Sequence, residues 1–341
     1  MKRLQTSRPA RLFTLLVLLA TTLLLGASAG GCGAKPAAIP ASSSAPWVAS
    51  LLGTPSHLGV IVKPSAMLAD PYWGPAIRRS MSKPQRQEDA DDLSSTQLAS
   101  FMASTQMELF LSVRDLARAA GAPKDRIGAE TVGYVLVVRG LGGVDPAALT
   151  SKRGERLFAP PLRLPTGVLE YAPMASWAGR KRGLATFLYV MPDGTWVGVD
   201  GTSAGRARTI YSQTAASPPR MTMDSEALLA GFVDRAVLDA ASRRAELLEA
   251  PWKHDLTGGG LVLLGGHDGA VEIVLEYANG DAADRAKSWI EDLFVATCKE
   301  HEMACLLLKA AIRDVKISRD GRRVGIRFYL TEALLRKLSE S

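Results

Sequence analysis

The chain is poor in the residues that usually announce chemistry. It has four histidines and three cysteines in 341 residues. His57, His254 and His267 lie scattered near segment boundaries, so no ligand set forms and neither a metal nor a cofactor is expected. No Gly-Lys-Ser or Gly-Lys-Thr follows the glycines at 258–260 and 265–269, and no G-x-G-x-x-G opens a helix. That excludes a phosphate-binding loop. After Cys32 no apolar run approaches the roughly 18 residues of a spanning helix. Acidic residues are absent from the first 31 positions, which hold Lys2, Arg3, Arg8 and Arg11. Without that segment the chain carries 37 basic against 34 acidic groups, or +3. Such a balance gives no electrostatic case for nucleic acid.

What is present begins at the N-terminus. A basic head is followed by the uncharged run Leu12–Gly26 and by small residues up to Gly31, with Cys32 next. This order marks residues 1–31 as a secretion signal. The tail A-G-G-C resembles the lipobox of bacterial lipoproteins, with Ala29 where leucine is usual. The alanine- and arginine-rich style is similar to lipoproteins of high-GC proteobacteria such as myxobacteria. The resemblance implies cleavage before Cys32, acylation (palmitate) of its thiol and a membrane anchor without a spanning segment. Gly33 replaces the aspartate that commonly retains such proteins in the inner membrane. That implies the outer membrane, facing the periplasm or the cell surface.

Residues 32–50, rich in Ala, Ser and Pro, read as a lipid-anchored flexible tether. Beyond it, alternating apolar positions predict strands at Leu58–Val62, Val132–Val138, 185–199, 261–264, 271–277 and 315–328. Several are hairpins closed by turns such as Pro192-Asp193-Gly194. A 3.6-residue period predicts helices over 98–120, 229–240 and 283–293, with a short one at 334–338. Met221 and Met223 read as a short strand. The fold class is α+β, antiparallel hairpins and sheets with helices packed on one face. We divide it into a domain at 51–215 and a second at 216–341. Two short matches (G-T-S-A-G-R-A-R from Gly201 with G-D-A-A-D-R-A-K from Gly280, and Pro64–Ala69 with Asp224–Leu229) raise an internal duplication against coincidence, and both stay open.

Two clusters invite chemistry. Gly201-Thr202-Ser203-Ala204-Gly205 matches the G-x-S-x-G elbow of serine hydrolases. Ser203 would be the nucleophile, with Asp224, Asp234 or Asp239 orienting His254 or His267. Against it, the preceding strand belongs to a tight antiparallel hairpin, and no series of βαβ units surrounds it. A glycine ending the strand, with Thr202 or Asp281 capping the following helix, explains both related segments. The second cluster is Cys298, His301 and Cys305. Seven residues on one helix span about 10.5 Å, too far for ligands around one ion or for a disulfide without a break in the helix. With Cys32 acylated in an oxidising compartment, a Cys298–Cys305 disulfide is expected, requiring that break between Lys299 and Met303; two buried thiols are the alternative.

The sequence thus favours a lipid-anchored envelope protein with a non-catalytic binding or scaffolding role, its partner another envelope protein, a lipid or a glycan. A serine hydrolase acting through Ser203 is the alternative.

Overall fold

A computed structural model describes residues 46–82, 95–113, 132–151, 154–174, 186–235, 255–266, 269–300 and 312–340. In chain order its elements are α1 (Pro46–Leu52), β1 (Leu58–Val62), α2 (Pro64–Ala69), α3 (Trp73–Ser82), α4 (Ser95–Met102), β2 (Gln106–Val113), β3 (Val132–Arg139), β4 (Leu162–Arg163), β5 (Leu169–Tyr171), β6 (Thr186–Val190) and β7 (Trp196–Asp200). They continue with α5 (Ala204–Gln213), β8 (Ala227–Asp234), β9 (Leu256–Leu264), β10 (Ala270–Tyr277), α6 (Gly280–Glu300), β11 (Ile312–Asp320), β12 (Arg323–Leu330) and α7 (Glu332–Glu340). The α+β class holds: the sheets are antiparallel, and helices pack against them. Among the described residues no helix is long and apolar enough to cross a membrane.

Two compact units divide the chain. One covers residues 38–70 and 81–248. Its strands run in the order β8-β1-β2-β3-β7-β6-β5-β4. Strand side chains alternate between faces, and here the alternation decides what is buried. Phe110 and Phe232 point to the face where α1 and α5 pack, joining Val135, Val137, Val197 and Tyr189 in one core. On the opposite face Val138, Leu188 and Trp196 form a second cluster, with Phe101 of α4 edge-on to Trp196 at 5.7 Å. The Pro192-Asp193-Gly194 turn closes β6 onto β7 as the sequence predicts. Gly194 adopts φ +81°, and the Asp193 carboxylate accepts from Thr195 N at 2.9 Å.

The other unit covers residues 71–80 and 249–341 within its bounds, with strand order β11-β12-β10-β9. Cross-strand rows such as Ile317–Ile326–Ile273–Leu261 build its interior. Helix α6 lies against β10, β11 and β12. Ala282, Ala283, Ala286 and Ile290 are fully buried along one stripe, and the three small side chains allow close approach. Trp73 of α3 donates its indole N–H to Leu264 O at 2.9 Å.

The structure corrects several expectations. The helix over 98–120 ends at Met102, and Gln106–Val113 is β2. The helix over 229–240 is β8 up to Asp234. Residues 114–120 and 236–240 lie outside the described residues. Met221 and Met223 join no ladder; they sit in an extended connector between α5 and β8. The disulfide is also overturned: no disulfide bond is present among the described residues. Helix α6 runs unbroken through Cys298 to Glu300, so the break a bond would need is not found at Lys299 or Glu300. His301 and Cys305 lie outside the described residues.

Candidate functional site

The G-x-S-x-G segment spans the end of β7 and the start of α5. Its centre is a residue the motif does not contain. Asp200, the last residue of β7, is 3% exposed and gathers donors from two directions. Its Oδ1 accepts from Thr202 N (2.8 Å), Ser203 N (3.2 Å) and the Thr202 hydroxyl. Its Oδ2 accepts from Ser203 Oγ at 2.7 Å and from Tyr134 N on β3 at 3.1 Å. Burial pushes the Asp200 pKa up, but the Thr202 and Ser203 hydroxyls and the Tyr134 and Thr202 amides together outweigh it and hold the group below its ordinary value.

Ser203 is the N-cap residue of α5 with φ −91° and ψ −14°. Its side chain is fully buried. A serine nucleophile needs a base to take its proton and an open path for an electrophile. This hydroxyl instead donates to a carboxylate made less basic than usual by its other partners. Neither Ser203 nor Thr202 caps the helix with its side chain, since both hydroxyls donate to Asp200. Asp224 takes part through its main-chain oxygen, which accepts from Lys63 Nζ at 3.2 Å. Asp234 closes β8, its N–H donating to His57 O at 2.9 Å. Asp239, His254 and His267 lie outside the described residues. The parallel segment behaves alike: Asn279 accepts from Ala282 N at 2.9 Å and starts α6, while Asp281 is exposed. Ser203→Ala is expected to cost about 1 kcal/mol and to leave labelling by a fluorophosphonate probe unchanged; urea unfolding and gel fluorescence read the two.

A polar cluster invisible in the sequence sits where β2 and β3 meet the connector that follows α5. Glu108 is fully buried. Its Oε1 accepts from Gln106 Nε2 (2.8 Å), Arg139 Nε (3.2 Å) and Met221 N (3.4 Å), and Oε2 has no partner among the described residues. Burial raises the Glu108 pKa against the opposing pull of Arg139. Arg139 also donates to Pro218 O at 2.8 Å, Gln106 donates to Met221 O at 2.9 Å, and Arg220 donates to Gln106 Oε1 at 2.6 Å. These groups pin the connector, which has no ladder of its own. A second buried carboxylate, Glu170 on β5, is held bidentately by Arg208 of α5, with Nε to Oε2 at 2.8 Å. Both arrangements consume their charges internally. Among the described residues no group of three His, Cys, Asp or Glu side chains is placed to hold a metal ion.

Neither a protein-family model nor a curated protein matches the chain. Two solved structures share 10% sequence identity with it. "Structure of crystal form III of TP0453" has a TM-score of 0.40 and covers 86% of this chain and 98% of that one. "Structure of crystal form I of TP0453" has a TM-score of 0.41, with 85% and 95% covered.

Proposed function

We propose that the chain is a lipid-anchored envelope protein, attached through Cys32 to the outer membrane, with a non-catalytic binding role. The anchor rests on the basic, apolar and small-residue order before Cys32. The binding role rests on one observation. On the face of β8, β1 and β2 opposite Phe110 and Phe232, aliphatic side chains line up in register and stay partly exposed. Val233, Leu58 and Leu111 form one row, Val60 and Leu109 the next, and Leu229, Val62 and Met107 a third. Their neighbours in sequence, such as Ile61, Ala230 and Phe232, are buried on the other side. A contiguous band of partly exposed aliphatic groups suits an apolar partner, the acyl part of a lipid or an apolar patch on another envelope protein.

The band is tested with 1-anilinonaphthalene-8-sulfonate. The wild-type chain is expected to bind the dye saturably, and the double variant Val60→Glu, Leu109→Glu to lose at least tenfold in affinity while keeping its far-ultraviolet dichroism. Equal binding by the two would refute the assignment. Mass spectrometry of the envelope-extracted protein tests the anchor separately, the expected species beginning at an acylated Cys32.

A further inference from the structure

Helix α1 is the first described element, and only residues 53–57 join it to β1. It fills a trough between α5 and the sheet. Val48, Leu51 and Leu52 are at most 2% exposed and pack with Phe110, Val135, Val137, Tyr211 and Phe232. The Trp47 and Phe110 rings meet edge-on with centroids 5.4 Å apart. No backbone group of α1 joins a strand ladder. Beyond packing, Arg206 of α5 pins its C-terminus, with Nε to Leu51 O at 3.1 Å and Nη2 to Leu52 O at 2.5 Å. Among the described residues the buried Trp47 indole N–H has no partner, so leaving the trough breaks no hydrogen bond to them.

The turn after α1 is tight. Gly53 sits at φ +72°, where a Cβ would come within 2.7 Å of the Arg206 guanidinium carbon. Pro55 stiffens the segment that follows. A compact element joined through a short, constrained hinge is the arrangement that exchanges between identical chains. The trough is complementary to one object, and every copy of the chain carries it.

We propose that α1 exchanges between copies: the helix Pro46–Leu52 of one chain docks in the trough of a second copy and receives that copy's helix in return, with residues 53–57 as the hinge. The docking contacts are the same in both forms, so the hinge and the local concentration set the balance. The exchange depends on the fold around the trough and not on the anchor or on any ligand.

The full-length chain in mild detergent provides the test. Deleting Thr54 and Pro55 leaves too little chain for α1 to turn back into its own trough. The expected result is a doubled sedimentation mass with α1 amides as protected from hydrogen exchange as in wild type; a monomer with that protection overturns the proposal. A second arm keeps the native hinge. A photoreactive benzoylphenylalanine replaces Trp47 in one chain, which is mixed with isotopically heavy wild type. Cross-links to the heavy peptide containing Phe110, rising with protein concentration, are expected. Cross-links confined to the light chain at every concentration overturn the proposal, even where the deletion variant fails to fold.

Discussion

Asp200→Ala is expected to destabilise the larger unit by about 4 kcal/mol, far more than any change at the serine beside it. The substitution removes one carboxylate and orphans several donors at once. Tyr134 N–H on β3, Ser203 N–H and the buried Ser203 hydroxyl all lose their acceptor, and each unsatisfied buried group costs about 1–3 kcal/mol. The turn that leads into α5 also loses the acceptor for the Thr202 amide and hydroxyl. These terms overlap, because α5 can fray and let water in, so the total stays below their sum. Asp200→Asn keeps an acceptor for the Thr202 and Ser203 amides but presents a donor toward Tyr134 N–H; about half the loss is expected. A drop in Tm of roughly 10 °C for the alanine variant follows for a unit of this size. Equal Tm values for Asp200→Ala and wild type would show that this carboxylate does not organise the junction.

The same carboxylate fixes the sign of a pH effect. Its folded pKa lies below the ordinary value of 3.8. A depressed carboxylate contributes stability that is present above its unfolded pKa and disappears as pH falls through the folded one. Acid therefore erodes this contribution only below the usual aspartate range. In Asp200→Asn that part of the acid limb should be missing, which urea midpoints measured across the acid range can show.

How much of this was legible in the sequence depends on whether local pattern or distant pairing decides the structure. The β6–β7 hairpin could be read because Asp193 and Gly194 carry their turn chemistry with them. Strands β2 and β8 could not. Both faces of each carry apolar residues, and the pairs Leu109/Val113 and Leu229/Val233, four apart, satisfy a helical stripe and one face of a strand equally well. Only pairing with β1, which lies between them, settles the choice. The role of Asp200 was overlooked because the motif begins at Gly201 and its organising group lies one residue earlier. The local signal was present nonetheless: Asp200-Gly201 and Asn279-Gly280 each place a side-chain acceptor just before the glycine that follows a strand, and a helix begins at Ala204 in the first case and at Gly280 in the second. Glu108 and Arg139 left no signal at all, since they are 31 positions apart and meet only through the β2–β3 register.

That pair carries the second large effect. Arg139→Ala should cost about 3–5 kcal/mol, because removing one partner leaves the other charge buried and uncompensated. Glu108 would retain only Gln106 and the Met221 amide, while Pro218 O and Pro219 O would lose their donor and the connector its main clamp. Charge-neutral repacking should hurt much less: Glu108→Leu with Arg139→Met is expected to fall within about 2 kcal/mol of wild type, so the two single changes are far from additive. The pH dependence runs opposite to that of Asp200. The Glu108 pKa is raised by burial, so its contribution is fully present below the ordinary glutamate value and is lost as pH climbs through the raised one. Glu108→Gln keeps an acceptor for Gln106 and Met221 and should flatten that limb. Denaturation followed by tryptophan fluorescence, with hydrogen exchange at the Ser217, Arg220 and Met221 amides, reads both effects. An Arg139→Ala chain that loses under about 1 kcal/mol and keeps wild-type protection at those amides would mean that packing of Ala215 and Met221 alone holds the connector.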